Sequence, residues 1–159
     1  MLRISKLTDY ATVLLAELSS RSGACVSASL PAEATGLEVP TVSKVLKTLA
    51  KAGIVNSLRG VNGGYRLAER PSDISVAAIV RAMEGPIALT ECALESGLCS
   101  HEANCNLRGH WQKIGVAVED ALENLSLADL AGNEPSRIAI RTVDGAHPAS
   151  PIRTETRTA

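Results

Sequence analysis

The 159-residue chain has very few large aromatic residues: one Trp, two Tyr and no Phe. A core must therefore be built from Ala, Val, Leu and Ile, which favours small, closely packed helices. The sequence also lacks an apolar run near the roughly 18 to 20 residues of a membrane-spanning helix, and it shows no secretory leader pattern. We therefore expect a soluble protein of the cytoplasm that has no membrane partner.

Acidic and basic residues nearly balance, but they are unevenly distributed. The formal net charge is −1, yet residues 1–70 carry nine Lys and Arg against five Asp and Glu, whereas residues 71–131 carry three against nine. A basic N-terminal half is compatible with phosphate contact and hence with a nucleic-acid partner. An ordinary solvated lysine face would give the same counts, so charge alone leaves both interpretations open.

The first half of the chain has the pattern of a helix-turn-helix. Apolar periodicity predicts a helix from Lys6 to about Ser19, capped by Ser5. Two further helices are predicted, over 30–35 and over 39–52, separated by a turn that contains glycine. Short helices joined by such a turn are typical of helix-turn-helix proteins.

A hairpin is predicted directly after these helices. Two short strands, 54–58 and 65–67, flank the glycine-rich loop 59–64. Glycines supply the positive φ that a tight reversal needs and allow backbone to approach another surface closely. The predicted fold class is therefore mainly α with a small β wing, with a winged helix-turn-helix domain over 1–70.

The second half of the chain is predicted to contain dimerisation helices and a tail. Helices are expected over 76–84 and over 110–124, and a capping-box pattern at Ser126 predicts a short terminal helix. One face of the long helix is apolar: Trp111, Ile114, Val118, Ala121, Leu122 and Leu125. This face needs a partner, either a second subunit or its own domain. Residues 71–131 are thus assigned to a cysteine loop and dimerisation helices, and residues 132–159 to a disordered tail.

Three of the four cysteines, Cys92, Cys99 and Cys105, fall within fourteen residues in a segment rich in turn formers. In a reducing compartment they are poor disulfide candidates. Thiolates at this spacing can converge on one soft metal centre, and such a site beside a nucleic-acid reader indicates a sensor that regulates transcription. Cys25 lies far upstream in a predicted strand and is interpreted as a small buried apolar side chain.

The predicted winged helix places a set of residues at DNA. Its second helix would enter the major groove and its wing the adjacent minor groove. The predicted contacts are Thr41, Ser43, Lys44, Lys47 and Arg59, with Lys51 near the phosphate backbone. Arg59 would enter a narrow A·T-rich minor groove, where negative potential is concentrated. Ordinary helix solubility is the alternative explanation for Lys47 and Lys51.

Three features resemble one family of winged-helix regulators. They are the run LRGVNGGYRL at 58–67, the segment VRAMEGP at 80–86, and the three cysteines followed by Trp111. The family contains the iron–sulfur regulator IscR, the nitric-oxide-sensitive repressor NsrR and the iron regulator RirA, and the similarity covers about residues 1–131. The opening MLRISKLTDY resembles in particular the branch that regulates the SUF iron–sulfur assembly operon. The resemblance implies a DNA-binding homodimer that senses cluster status, nitric oxide or oxidant and controls cluster-assembly genes.

The resemblance also implies a cofactor and its ligands. Each subunit would hold an iron–sulfur cluster, either 2Fe-2S or 4Fe-4S, through Cys92, Cys99 and Cys105. At the position where IscR-like proteins carry a ligating His, this chain has Arg108, a cation that cannot bind iron. NsrR-like proteins use an Asp near the N-terminus of the other subunit, and Asp9 matches that motif. We expect Asp9 of the partner subunit as the fourth ligand; the remaining candidates are His101, His110 and Glu91.

Other hypotheses remain open from the residues. The first cysteine gap is one residue longer than in the relatives named, so the loop must bulge, and a zinc ion at three Cys and one His would suit the same ligand types. A regulator without a cluster would instead sense oxidants directly by forming a disulfide. An enzyme with a cysteine nucleophile and His101 or His110 as its base is least favoured, because the cysteines are clustered and no phosphate loop is present.

Overall fold

The computed structural model describes residues 4–21, 23–60, 63–90, 93 and 105–132. Its elements, in chain order, are α1 Lys6–Ser19, α2 Ser29–Thr35, α3 Val39–Lys51, β1 Val55–Leu58, β2 Gly64–Leu67, α4 Val76–Glu84, α5 Arg108–Glu123 and α6 Leu127–Ala131. No helix in these ranges is long and apolar enough to cross a membrane. The predicted mainly helical fold with a small β wing is confirmed, and residues 133–159 of the predicted tail lie outside the described residues.

Helix α1 forms the centre of the core. It begins where the Ser5 side chain accepts a hydrogen bond from the Thr8 amide at 3.3 Å, as the sequence predicted. Its buried stripe consists of Ala11, Leu14, Leu15 and Leu18. This stripe packs against α2, α3, α4 and α6, so one apolar core takes residues from both sides of position 70. The division into domains at that position stays a prediction.

Glycines at two helix ends shape the helix-turn-helix. Helix α2 ends at Gly36, whose φ of 70° is left-handed, and the Leu37 amide then bonds the Ala32 carbonyl at 3.1 Å. Past the end of α3, Gly53 has φ 79° and turns the chain toward β1. Because an L side chain is strained in this conformation, glycine suits both reversals.

The hairpin is tied to the helices by a backbone bridge at Val26 and by packing of Val55 and Leu67 in the core. Strands β1 and β2 pair antiparallel, with Val55 opposite Leu67. Tyr65 exchanges two backbone hydrogen bonds with Val26, of 2.8 and 3.0 Å. The strand predicted around Cys25 is therefore reduced to a bridge at Val26. Its position fixes the hairpin against the segment that leads into α2.

The last described helix closes the core. The side chain of Ser126 and that of Asp129 form the predicted capping box at the start of α6. Leu127 is completely buried, and its amide donates to the Ile74 carbonyl at 2.8 Å. The sequence prediction of a short terminal helix at this position is confirmed. Residues from the end of the family-like region thus complete the core begun by α1.

Helix α5 is attached to the rest of the protein through charged groups. Arg81 of α4 donates to Glu119 at 2.5 Å and also to Glu123, one turn further along α5. These two carboxylates raise the pKa of Arg81. Of the sixteen residues of α5, only Gly115 is buried. The helix begins at Arg108, two residues before the predicted start, and its apolar side chains remain largely exposed.

Candidate nucleic-acid interface and cysteine centre

Helix α3 presents the predicted DNA contacts on the side opposite its buried stripe. Val42, Val45, Leu46 and Leu49 are fully buried, which fixes the rotation of the helix about its axis. Thr41 and Ser43 are then partly buried at its first turn, while Lys44 and Lys47 are exposed. Glu38, at the cap position, makes no side-chain hydrogen bond to the helix. Pro40 has no amide hydrogen, so the amides of Val39 and Thr41 are the ones open to an acceptor such as a phosphate oxygen.

The wing has a backbone that only glycine accommodates. Gly64 has φ 155°, and a Cβ there would lie 2.2 Å from the Val26 carbonyl oxygen. A Cβ on Gly63 would lie 2.4 Å from the Leu58 carbonyl oxygen. Both distances are far below van der Waals contact, so these glycines set the wing's position by close backbone approach. Arg59 is exposed beside this turn, and residues 61 and 62 lie outside the described residues.

The basic side chains of this surface have no acidic partners. Within the described ranges, none of the following makes an ion pair: Lys44, Lys47, Lys51, Arg59 and Arg66. By contrast, Arg21 is paired with Glu17, and Arg70 is paired with Asp73 at 2.7 Å. Unpaired cations on one surface keep their charge available for phosphate oxygens.

Arg66 belongs to this surface, although sequence reasoning did not select it. It lies in β2 opposite Asn56, on the hairpin face away from the core, and is exposed. The signal was present in the alternation of Tyr65, Arg66 and Leu67, because neighbouring residues in a strand point to opposite faces. Because Tyr65 and Leu67 are partly buried, Arg66 between them is on the outward face.

The cysteine centre is described only in part. Cys105 has a free thiol, is partly buried and lies three residues before α5 begins. Cys92 and Cys99 lie outside the described residues, and the described part of the chain brings no three metal-binding side chains together. Cys25 is partly buried and has a free thiol beside the Val26 bridge. The predicted cluster site therefore stays a prediction.

The candidates for a fourth ligand lie on different helices. Asp9 is exposed in the first turn of α1, and His110 is exposed in the first turn of α5. Arg108 is the first residue of α5 and is partly buried. Glu91 and His101 lie outside the described residues. Exposure of Asp9 leaves its carboxylate accessible to another subunit.

The chain leading toward the cysteines runs beside α5. A shallow cleft of about 350 Å³ separates the two, lined by Ile87, Ala88, Ala93, Gln112, Gly115, Val116 and Glu119. Gly115 lies beside the backbone at Ile87: a Cβ placed on it would be in ordinary van der Waals contact, 4.0 Å from the Ile87 carbonyl oxygen. The chain therefore lies close to α5 both before and after the cysteine segment. Ile87 and Ala88 lie beside the helix, and Cys105 leads directly into it.

The helix-turn-helix, the glycine-shaped wing and the unpaired cations define a winged-helix DNA-binding regulator. The chain belongs to the Rrf2 family of iron-dependent transcriptional regulators, whose model matches residues 4–133. The predicted family is thereby confirmed, and the alternative of an enzyme is wrong. Resemblance to the SUF branch in particular stays a prediction.

Individual relatives support this assignment over most of the chain. Protein rrf2 of Nitratidesulfovibrio vulgaris is 32% identical over 130 residues, 81% of this chain and 87% of the relative. The regulator NsrR of Halalkalibacterium halodurans is 32% identical over 136 residues, covering 84% and 92% of the two chains. Among solved structures, the global cysteine regulator CymR of B. subtilis has a TM-score of 0.63 and 31% identity, covering 82% of this chain and 97% of CymR.

Proposed function

We propose that this protein is a cytoplasmic, homodimeric transcriptional regulator that senses an iron–sulfur cluster and controls genes of cluster assembly. The observation that carries the proposal is the set Cys92, Cys99 and Cys105 directly downstream of a winged helix, in a member of a family of iron-dependent regulators. Sulfur ligands are those that iron–sulfur clusters require. The signal would be the state of the cluster or its damage by nitric oxide or oxidant.

Helix α5 supports the homodimer. Trp111 is 39% exposed and Ile114 45%, both on the predicted apolar face of a helix that is roughly 24 Å long at 1.5 Å per residue. Leu107, just before the helix, is 57% exposed. An apolar surface of this length is unfavourable in water, and a second α5 would cover it by the same residues in both subunits.

The donor set suits a cluster, and its members connect different parts of the protein. Cys105 leads into α5, whereas Asp9 lies on α1, which packs on both helices of the helix-turn-helix. With Asp9 of the partner subunit as fourth ligand, the bound cluster would supply an iron centre that reacts with oxygen or nitric oxide. Release of Cys105 and Asp9 would then free α5 of one subunit from α1 of the other.

This rearrangement would change DNA affinity through the spacing of the two α3 helices. A coupling free energy of about 1 to 3 kcal/mol changes affinity roughly 5- to 150-fold. In each subunit Thr41, Ser43 and Lys44 contact base edges or phosphates, and Lys47 lies near the backbone. Arg59 enters the minor groove beside the site read by α3.

Purification without oxygen tests the cofactor. We expect a brown protein that contains iron and sulfide, and we expect Ala at Cys92, Cys99 or Cys105 to abolish the colour. Cys25→Ala is the matched control and should keep the colour, since Cys25 lies beside the wing. Full colour in Cys99→Ala would overturn the ligand assignment.

Cluster lifetime tests the fourth ligand. Asp9→Ala should shorten the lifetime under oxygen or nitric oxide, because only three thiolates would remain. His101→Ala and His110→Ala should leave it unchanged. An unchanged lifetime in the Asp9 variant, together with a loss in either His variant, would assign the histidine instead.

The second candidate is a regulator that senses oxidants through its thiols. It would carry either no metal centre or a zinc ion in place of the cluster. It is favoured by the structural likeness to CymR and by the free, partly exposed thiol of Cys105. Such a protein would be colourless after anaerobic purification, while an oxidant would still change its DNA affinity. The same purification therefore separates the two functions.

A further inference from the structure

The end of α4 is bonded directly to the start of α1. The carboxylate of Glu84, the last residue of α4, accepts a hydrogen bond from the Ser5 amide at 2.9 Å and another from the Thr8 hydroxyl. Thr8 is the one buried polar residue of the described core, only 1% exposed. Hydrogen bonding from the Ser5 side chain, then from the Thr8 side chain and the Ser5 amide, holds the pKa of Glu84 below its usual value.

Glu84 provides an acceptor for the Ser5 amide, in addition to the cap that the Ser5 side chain provides for the Thr8 amide. A carboxylate at a helix N-terminus is favoured by the unpaired amides there and by the helix dipole. The acceptor comes from 76 to 79 positions away along the chain. The first turn of α1, which carries Asp9 next to Thr8, is therefore held by a different segment.

Glu84 also directly precedes the segment that leads to the cysteines. Gly85 follows Glu84 with φ 88°, a conformation that favours glycine, and starts the segment that leads to Cys92. One turn earlier, Arg81 holds Glu119 and Glu123 of α5. The last turn of α4 thus meets α1 on one side, α5 on another, and continues into the cysteine segment.

We propose that Glu84 is the positioning residue that transmits movement of the cysteine segment to α1 and so to the DNA-reading helices. The proposal rests on the cluster-sensing function proposed above. A displacement at Gly85 on cluster loss pulls on the end of α4, and the Glu84 bonds carry that displacement to Ser5 and Thr8. Without them, α1 and its Asp9 no longer follow the segment.

Two measurements on the full chain test this role. The first is hydrogen exchange at the amides of residues 5–9 in the protein without cluster. The second is the ratio of operator dissociation constants with and without cluster. The variants are Glu84→Ala and Glu84→Gln, with Arg70→Ala as the control, because it breaks an exposed side-chain contact, the ion pair with Asp73, away from α1.

We expect Glu84→Ala to speed exchange at Ser5 several-fold and to bring the ratio, from a wild-type value of roughly 5 to 150, close to one. Glu84→Gln keeps an acceptor oxygen and should fall between, whereas Arg70→Ala should match the wild type in both. Faster exchange with an unchanged ratio would make Glu84 a local helix cap and overturn the proposal. If the wild type itself has a ratio of one, both the sensing function and the role of Glu84 are overturned. If Glu84→Ala keeps the ratio of the wild type, only the role of Glu84 is overturned.

Discussion

The DNA-reading region and the cysteine and dimerisation region are built differently. In the first, the apolar stripe of α3 is fully buried within one chain, and among the described residues the lysines of α3 and the arginines of the hairpin make no ion pair. In the second, only Gly115 of α5 is buried, Trp111, Ile114 and Val116 are exposed, and the carboxylates of Glu119 and Glu123 bind Arg81. The first region carries cations that suit a polyanion. The second exposes apolar side chains that a second subunit would cover in the dimer proposed above, so it would respond to a change at that interface.

The largest effect is expected for Gly64→Ala in the DNA-reading region. Its Cβ would lie 2.2 Å from the Val26 carbonyl oxygen, so the bridge that anchors the wing must break. We expect a loss of about 2 to 4 kcal/mol in the free energy of unfolding, together with weaker operator binding. Denaturant unfolding and a DNA titration measure the two quantities.

Gly60→Ala is the control for that clash. Gly60 also has a positive φ, 111°, but no atom lies within 4 Å of a Cβ placed there. Only backbone strain of about 1 to 2 kcal/mol is then expected. Equal losses in the two variants would show that close approach at Val26 does not position the wing.

The next largest effect tests whether α5 forms a subunit interface and the hairpin of the DNA-reading region does not. Ile114 on α5 and Leu58 on β1 are 45% and 46% exposed. If α5 dimerises, Ile114→Glu should weaken the dimer by about 2 to 3 kcal/mol, roughly 30- to 150-fold in dissociation constant. Leu58→Glu should leave the dimer intact in sedimentation measurements without DNA. Equal behaviour of the two variants would remove α5 from the interface.

Arg59→Ala tests whether the exposed cations of the DNA-reading region contact DNA. We expect operator binding to weaken by about 1 to 3 kcal/mol and its salt dependence to fall, because a cation near phosphates is lost. Arg70→Ala is the matched control, since Arg70 is paired with Asp73. Unchanged affinity and salt slope for Arg59→Ala would make the wing a structural element only.

The smallest effect is a pH dependence at the α4–α5 contact. Hydrogen bonding from Ser75, followed by Arg81, holds the pKa of Glu123 below its ordinary value of 4.5. A depressed carboxyl pKa stabilises the folded state above the unfolded value, and this contribution is lost as pH falls through the folded value. The side chain of Glu123 is 40% exposed, so we expect at most about 0.5 kcal/mol after solvent screening.

Thermal melts of Glu123→Gln against the wild type measure that difference. The wild type should be the more stable at pH 7, and the gap should close below about pH 4. Glu33→Gln, at an exposed position of α2, is the control and should show no gap at either pH. A gap that widens toward low pH would contradict the assignment of the contact.

Local signals predicted the elements, whereas contacts distant in sequence escaped prediction. The periodicity of α1, its Ser5 cap and the Ser126 capping box each act within a few residues, and the structure has all three. The bonds of Glu84 to Ser5 and Thr8 join positions 76 or more residues apart and leave no local pattern. Arg66 could have been found from strand alternation. A fourth ligand from another subunit, as proposed for Asp9, could not, because such a residue has no spacing to read.

The most direct test of the account is the affinity of one operator for the anaerobically purified protein, measured before and after removal of the cluster at fixed salt. The account predicts a brown protein whose dissociation constant changes roughly 5- to 150-fold when the cluster is removed. Glu84→Ala should abolish most of this change. A brown protein with equal affinity in both states would contradict the claim that the cysteine region controls the DNA-reading region.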